Sequence, residues 1–265
     1  MRVALGLEYD GSKFCGWQSQ ANSCGVQDAL ERALAVFLGI EVRVHCAGRT
    51  DTGVHALAQV AHIDTNISRE DNAWVRGTNA HLPPAVRVVW AKHVSDDFHA
   101  RFSARSRSYQ YVLLNDTVQN ALTHNAVGFF HVPLDEQLMQ RCANLLLGEH
   151  DFSSFRAAEC QAKTPVKTLY QASVERRGRH LFFKFRANAF LHHMVRNIVG
   201  GLVSVGSMRH SQQQFQEIFE ARNRTLAAPT FSPAGLYLTE VEYDPVFGLP
   251  LLAELQQRHP FFYPS

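Results

Sequence analysis

The chain has 265 residues, 46% of them hydrophobic, 11% aromatic and 19% charged, with a net charge of +2. That length holds one large or two modest domains, and the composition is too apolar and aromatic for a disordered chain. No run reaches the roughly 20 apolar residues of a membrane span, and residues 1–8 are too short and alternating for a signal peptide. Membrane insertion and secretion are therefore not expected, and a cytoplasmic location is.

Val3, Leu5, Leu7 and Tyr9 alternate, which predicts a strand over 2–9. Val26, Ala29, Leu30, Ala33, Leu34, Phe37 and Leu38 fall at helical spacing, and Gly39 closes that helix. Strand-like runs follow at 41–47 and 57–64. Ser68 with Asp71 reads as a capping box for a short helix through Trp74 and Val75. Pro83-Pro84 ends it, and 86–94 reads as a strand. The order β-α-β-β-α-β is the split βαβ, or ferredoxin-like, pattern.

The second half repeats it. Tyr109, Tyr111 and Leu113 alternate along a strand. Asp135 can cap a helix carrying Leu138, Cys142, Leu145 and Leu146, stopped by Gly148. Residues 168–176 and 180–187 read as a hairpin around Arg177-Gly178-Arg179. Leu191, Met194, Val195, Ile198, Leu202 and Val205 trace a helix, Ser211 starts another, and 235–243 is the last strand. The expected fold is α+β: two ferredoxin- or RRM-like halves, 1–104 and 105–265, with mixed, mainly antiparallel sheets. No low-complexity linker separates them, so close side-by-side packing is expected. Loops at 10–25 and 116–134 are long enough to suggest function.

The small net charge hides a pattern. Residues 176–216 hold seven Lys or Arg and no acid, and residues 98–115 hold Arg101, Arg105 and Arg107 and no acid. Aromatics interleave both stretches, among them Phe102, Tyr109, Tyr111 and Phe183. Cations meet phosphates and aromatic faces meet bases, so nucleic-acid binding competes with a plain solvated basic face. Cys15, Cys24, Cys46, Cys142 and Cys160 are odd in number, with no Cys-x-x-Cys pair. They read as reduced thiols, not a disulfide or zinc framework.

The densest polar segment is His45-Cys46-Ala47-Gly48-Arg49-Thr50-Asp51-Thr52-Gly53-Val54-His55. Gly48 and Gly53 have P-loop spacing, but Val54-His55 stands where a Lys and a hydroxyl residue are required, which argues against nucleotide hydrolysis. Asp51-Thr52-Gly53 occurs once, so the carboxylate pair of an aspartic protease is missing. His45, Cys46 and His55 make a weak metal set with no fourth ligand placed by spacing, and His192-His193 is a poor helical chelate. What remains is one carboxylate on a Gly-flanked turn, with an Arg two residues earlier. It can serve as a nucleophile or simply close an Asx-turn, and residue chemistry leaves both open.

The stretch Gly48-Arg49-Thr50-Asp51-Thr52-Gly53-Val54-His55 resembles the catalytic motif of the tRNA pseudouridine synthase A family. Five further segments agree, in order: Tyr9-Asp10-Gly11-Ser12-Lys13-Phe14 with Gly16-Trp17-Gln18; Asp97-Phe98-His99-Ala100-Arg101-Phe102-Ser103-Ala104; Asp151-Phe152-Ser153-Ser154-Phe155; Ala187-Asn188-Ala189-Phe190-Leu191-His192-His193-Met194-Val195-Arg196-Asn197; and Gly235-Leu236-Tyr237-Leu238. The resemblance implies the pseudouridine synthase fold and an isomerase that converts uridine to pseudouridine at positions 38 to 40 of the tRNA anticodon stem-loop. It implies no metal, no cofactor and no nucleotide, and a homodimer whose two subunits both touch tRNA. By motif position, Asp51 is the implied nucleophile, Arg49 fills the space left by the flipped uridine, and Tyr109 is the implied catalytic tyrosine that stacks on the flipped base with its hydroxyl near the C5 proton to be removed. Arg196 pairs with Asp51 and Leu236 packs beneath the base. Arg105 and Arg107, with Arg176, Arg177 and Arg179, are expected phosphate contacts.

Two departures stand out. Cys15 sits where the family often has an aromatic, and Ser108 and Gln110 flank Tyr109 where Arg is common. The tail ends on Phe261-Phe262-Tyr263, which matches nothing assigned. The competing readings are a non-catalytic RRM-like RNA-binding protein and a tRNA chaperone. The first lacks the Lys/Arg-Gly-Phe/Tyr-Gly/Ala-Phe run of an RRM.

Overall fold

The structure, a computed structural model, describes residues 1–250, so the aromatic run 261–263 lies outside the described residues. The chain divides into two compact units. One comprises Met1–Arg105 with Leu238–Ser265, and the other Ser106–Tyr237.

The first unit runs β1 (Arg2–Tyr9), α1 (Val26–Leu38), β2 (His45–Cys46), β3 (His55–Asp64), α2 (Asp71–Asn79) and β4 (Val86–Val94). Its sheet order is β4-β1-β3-β2, with every pair antiparallel. That is the order of a βαββαβ unit. Strand β3 is buried over nine of its ten residues, as a strand between two neighbours should be. Helix α1 turns Val26, Ala29, Leu30, Ala33, Leu34 and Leu38 inward and ends at Gly39. At its start the Asp28 carboxylate accepts from Gly25 N–H (2.9 Å) and Ser19 Oγ (2.6 Å). Trp74 of α2 is buried and meets the Phe37 ring edge-on at 5.7 Å.

Two sequence expectations shift here. Helix α2 begins at Asp71, capped by Glu70 without a side-chain bond, not at Ser68. The chain before it is engaged elsewhere: Thr65 Oγ1 accepts from Ile67 N–H, and Glu70 is still extended. The run 41–47 shortens to the two residues of β2, because Glu31 of α1 takes Val44 N–H at 2.9 Å and withdraws it from the ladder.

The second unit runs β5 (Ser106–Asn115), β6 (Gly128–Phe130), α3 (Glu136–Asn144), β7 (Gly148–Asp151), β8 (Val166–Arg177), β9 (His180–Ala187), α4 (Met194–Gly206) and α5 (Gln212–Glu220). Strands β5-β9-β8-β7 pair antiparallel in that order, while the short β6 runs parallel beside the end of β5. Asp135 caps α3 by accepting from Leu138 N–H, and Ser211 with Gln214 forms a reciprocal capping box on α5. Helix α4 is buried almost throughout. It starts at Met194, since His193 adopts a left-handed φ of 61°. Phe152, Phe155, Phe215 and Phe219 pack ring to ring at 5.4–6.0 Å. Strand β10 (Leu236–Glu242) is divided, with Leu236 and Tyr237 counted in the second unit and the rest in the first. The fold class is α+β with mainly antiparallel pairing, and β6, β7 and α5 are additions to the second βαββαβ pattern.

Candidate active site

The polar segment links β2 to β3 in the first unit, and neighbouring elements pin it residue by residue. Ala47 N–H donates to Val60 O at 2.8 Å. Gln59 of β3, fully buried, donates from Nε2 to Gly48 O at 2.7 Å and to Tyr9 Oη at 3.3 Å. The Tyr9 hydroxyl of β1 lies 2.8 Å from Thr50 Oγ1, and Trp17 N–H donates to Thr50 O at 2.9 Å. Asp51 then opens a turn closed by Val54 N–H to Asp51 O at 3.1 Å, with Gly53 at a φ of 79°. A side chain at that φ is strained, so glycine fits the position. Beyond the turn, His55 Nδ1 accepts from Gly11 N–H at 3.1 Å.

Arg49 is exposed and Asp51 half-buried, while Thr50 between them is buried. The cradle therefore anchors the middle residue and presents its two neighbours. Burial pushes the Cys46 thiol up to about 12, against the pull of the Arg49 and Arg101 guanidiniums. Cys46 is thus an inert thiol near neutral pH, and His45 is stacked on His62 at 5.1 Å.

Residues 10–25 carry the other half of the cradle, and one sequence expectation is corrected there. Cys15 and Cys24 form a disulfide; the thiol reading holds only for Cys46, Cys142 and Cys160. The loop folds back so that Cys15 N–H donates to Cys24 O at 3.0 Å and the two Cα atoms stand 5.4 Å apart. Odd number and irregular spacing cannot reveal such a contact. Gly16, at a φ of 93°, lies directly against the segment 48–55: a Cβ there would stand 2.7 Å from Thr50 O.

The other expected residues fall as follows. Tyr109, on β5 of the second unit, is buried and meets Phe190 edge-on at 5.0 Å. Arg196 sits in the first turn of α4 and donates from Nε to Phe231 O at 2.8 Å. Leu236 is buried at the start of β10, with its N–H on Pro233 O. Arg107 donates to Asn188 O at 3.0 Å. Arg105 of the first unit pairs with Asp244. Arg177 pairs with Glu175 and Arg179 with Asp116, both near the surface. Arg176 binds Glu136, Leu134 O and Asn115, so its guanidinium serves internal structure.

Sequence reasoning missed Gln59 and gave Tyr9, Thr50 and Asn197 no role beyond their place in the matching segments. In the first unit the supporting residues are Gln59 and the hydroxyl pair Tyr9–Thr50. In the second, buried Asn197 accepts from Thr230 Oγ1 (2.7 Å) and Arg224 Nη2 (3.1 Å) and donates to Phe155 O (2.8 Å). It thereby ties the segment around Phe231 to the helix that carries Arg196. The available signal was a lone amide inside an apolar run, as in both 55–64 and 194–206.

The sequence pattern of the family described as tRNA pseudouridine synthase matches residues 7–103 and 142–244. The chain belongs to that family. Among its relatives, tRNA pseudouridine synthase A of Methylobacillus flagellatus is 58% identical over 250 residues, 94% of this chain and 96% of that one. The protein of the same name from Thiobacillus denitrificans is 54% identical over 98% of this chain and 99% of its own. That from Burkholderia mallei is 54% identical over 94% and 93%. A solved structure titled "Crystal Structure of a Cbf5-Nop10-Gar1 Complex" covers 98% of this chain and 56% of its own at 13% identity and a TM-score of 0.35, too weak a likeness to inform the fold.

The tRNA pseudouridine synthase family consists of isomerases that convert uridine to pseudouridine in tRNA. Membership disfavours the reading of a non-catalytic RRM-like binder. Among the described residues no helix is long and apolar enough to cross a membrane.

Proposed function

We propose that this chain isomerises uridine to pseudouridine at positions 38–40 of the tRNA anticodon stem-loop, with Asp51 as the nucleophile. The reaction breaks the N1–C1′ bond, rotates the base and forms C5–C1′; the C5 proton leaves and the freed N1 takes up a proton from solvent. The observation that carries the assignment is the pinned turn: Thr50 is bonded through both its hydroxyl and its carbonyl, so the backbone that carries the adjoining carboxylate is fixed before substrate arrives. The target lies in a stem, and extruding it costs a few kcal/mol. In this reading Arg49 fills the vacated space, Tyr109 stacks on the flipped base, Arg196 pairs with the carboxylate and Leu236 packs below. Arg105 and Arg107 contact phosphates. The catalytic loop belongs to the first half, 1–104, and the basic RNA-binding stretches to the second, 105–265. We infer also that the protein works as a cytoplasmic homodimer, which sedimentation of the purified chain with and without tRNA tests.

The deciding experiment is tritium release from tRNA transcribed with 5-tritiated uridine. Wild type is expected to release tritium and Asp51→Asn to fold, bind tRNA and release none. Turnover by Asp51→Asn above a few percent of wild type would sink the nucleophile assignment.

A further inference from the structure

Three histidine rings cluster beside an exposed phenylalanine in the first unit, with His45 and His99 5.7 Å apart. His45 of β2 stacks on its cross-strand partner His62 of β3 at 5.1 Å. His62 meets His99 at 4.6 Å, and His99 meets Phe102 at 4.3 Å. The last ring is 75% exposed, with the Arg101 guanidinium over it, 5.6 Å from the centroid. A single exposed Phe is ordinary. A Phe braced by a histidine ring and flanked by a cation is a different arrangement, because it offers exposed ring surface and a phosphate partner together.

The segment that presents the ring is tied down. Ala100 N–H donates to His62 Nδ1 at 3.1 Å. Arg101 and Phe102 N–H both donate to His99 Nδ1, at 3.1 and 3.3 Å. His99 N–H donates to Ser103 Oγ, and Ser103 N–H returns to His99 O, both at 2.9 Å. Burial, and then His45, hold His99 below its usual range, so it stays a neutral ring at neutral pH. The platform is therefore ordered before a ligand arrives, which lowers the entropic cost of binding. It also adjoins the catalytic loop: β2 leads directly into Gly48-Arg49, and the Arg49 and Arg101 guanidiniums both act on the Cys46 thiol.

We propose that Phe102, flanked by Arg101 and backed by His99, is a stacking platform for an unpaired nucleobase of the tRNA, a nucleotide other than the uridine that reacts. The inference rests on the proposed function. Charge selects RNA over a protein partner: the Arg101 guanidinium stands beside the ring, and residues 98–104 hold that cation and no acid.

The test is the affinity of Asp51→Asn for a tRNA anticodon stem-loop at fixed salt, which needs no catalysis. Adding Phe102→Ala is expected to weaken binding about ten-fold, with the melting temperature held, and Phe102→Trp to restore it. Arg101→Ala is expected to lower the slope of log affinity against log salt by about one. Undiminished affinity in Phe102→Ala overturns the platform. So does a change in sedimentation coefficient with affinity per site retained, which would give the ring to a contact between copies. Failure of Asp51→Asn itself to bind tRNA overturns the functional reading and the platform together, whereas tight binding indifferent to Phe102 overturns the platform alone.

Discussion

At the scale of single residues, the turn that carries Asp51 owes its shape to partners whose contacts the sequence does not display. Tyr9 alternates with its strand neighbours and opens a family-like segment, and its hydroxyl holds Thr50 between Arg49 and Asp51. Tyr9→Phe is expected to cost about 1–2 kcal/mol, because a buried hydroxyl loses its partner, and to slow turnover several-fold by loosening the aim of Asp51. Denaturant unfolding and tritium release measure the two effects; lost stability with wild-type turnover would confine Tyr9 to a structural role. His62 makes a separate prediction. Burial, then the neighbouring His99, Arg2 and His45, bring it down to about 4, with Asp64 pulling the other way. Between pH 4 and 6.5 the unfolded chain binds a proton there that the folded chain does not. Stability is therefore full above about pH 6.5 and falls as the pH drops toward 4, by up to about 3 kcal/mol from this group. His99 contributes in the same sense. Urea unfolding across that range should show the slope, and His62→Gln should flatten it.

At the scale of elements, patterns that depend on near neighbours were legible. The 3.6-residue spacing of 26–38 and the cap at Asp135 both appear where local geometry demands. The failures are side-chain bonds that replace the expected pattern. Glu31 removes Val44 from a strand across 13 positions, and Thr65 engages Ile67 just ahead of α2. The Cys15–Cys24 bond belongs here too, since it closes a loop whose Gly16 and Trp17 brace the segment 48–55. Nine residues separate the cysteines, so the cross-link is expected to contribute roughly 2–3 kcal/mol by restricting the unfolded chain. Unfolding midpoints of wild type with and without reductant, compared with Cys24→Ser, measure it. Equal midpoints in all three would show that the cross-link adds nothing.

At the scale of the whole molecule, net charge of +2 predicts little affinity for RNA, whereas its placement in acid-free stretches predicts a good deal. Affinity for tRNA is expected to fall steeply with salt. The slope should respond to Arg105 and Arg107 but not to Arg176, whose guanidinium is committed to Glu136 and Leu134 O. Filter binding across a salt series reads all three, and a flat salt response would remove the basic stretches from the binding surface. The sequence by itself determined the α+β class, the twice-repeated element order and the family, because periodicities of two and 3.6 and ordered motifs are written within a few residues of one another. Tertiary structure alone decided the bond between Cys15 and Cys24, the cradle of Tyr9, Gln59 and Trp17, and the cluster of His45, His62 and His99 beside Phe102. Each joins groups brought together by packing, and neither composition nor spacing encodes which buried polar atoms will meet.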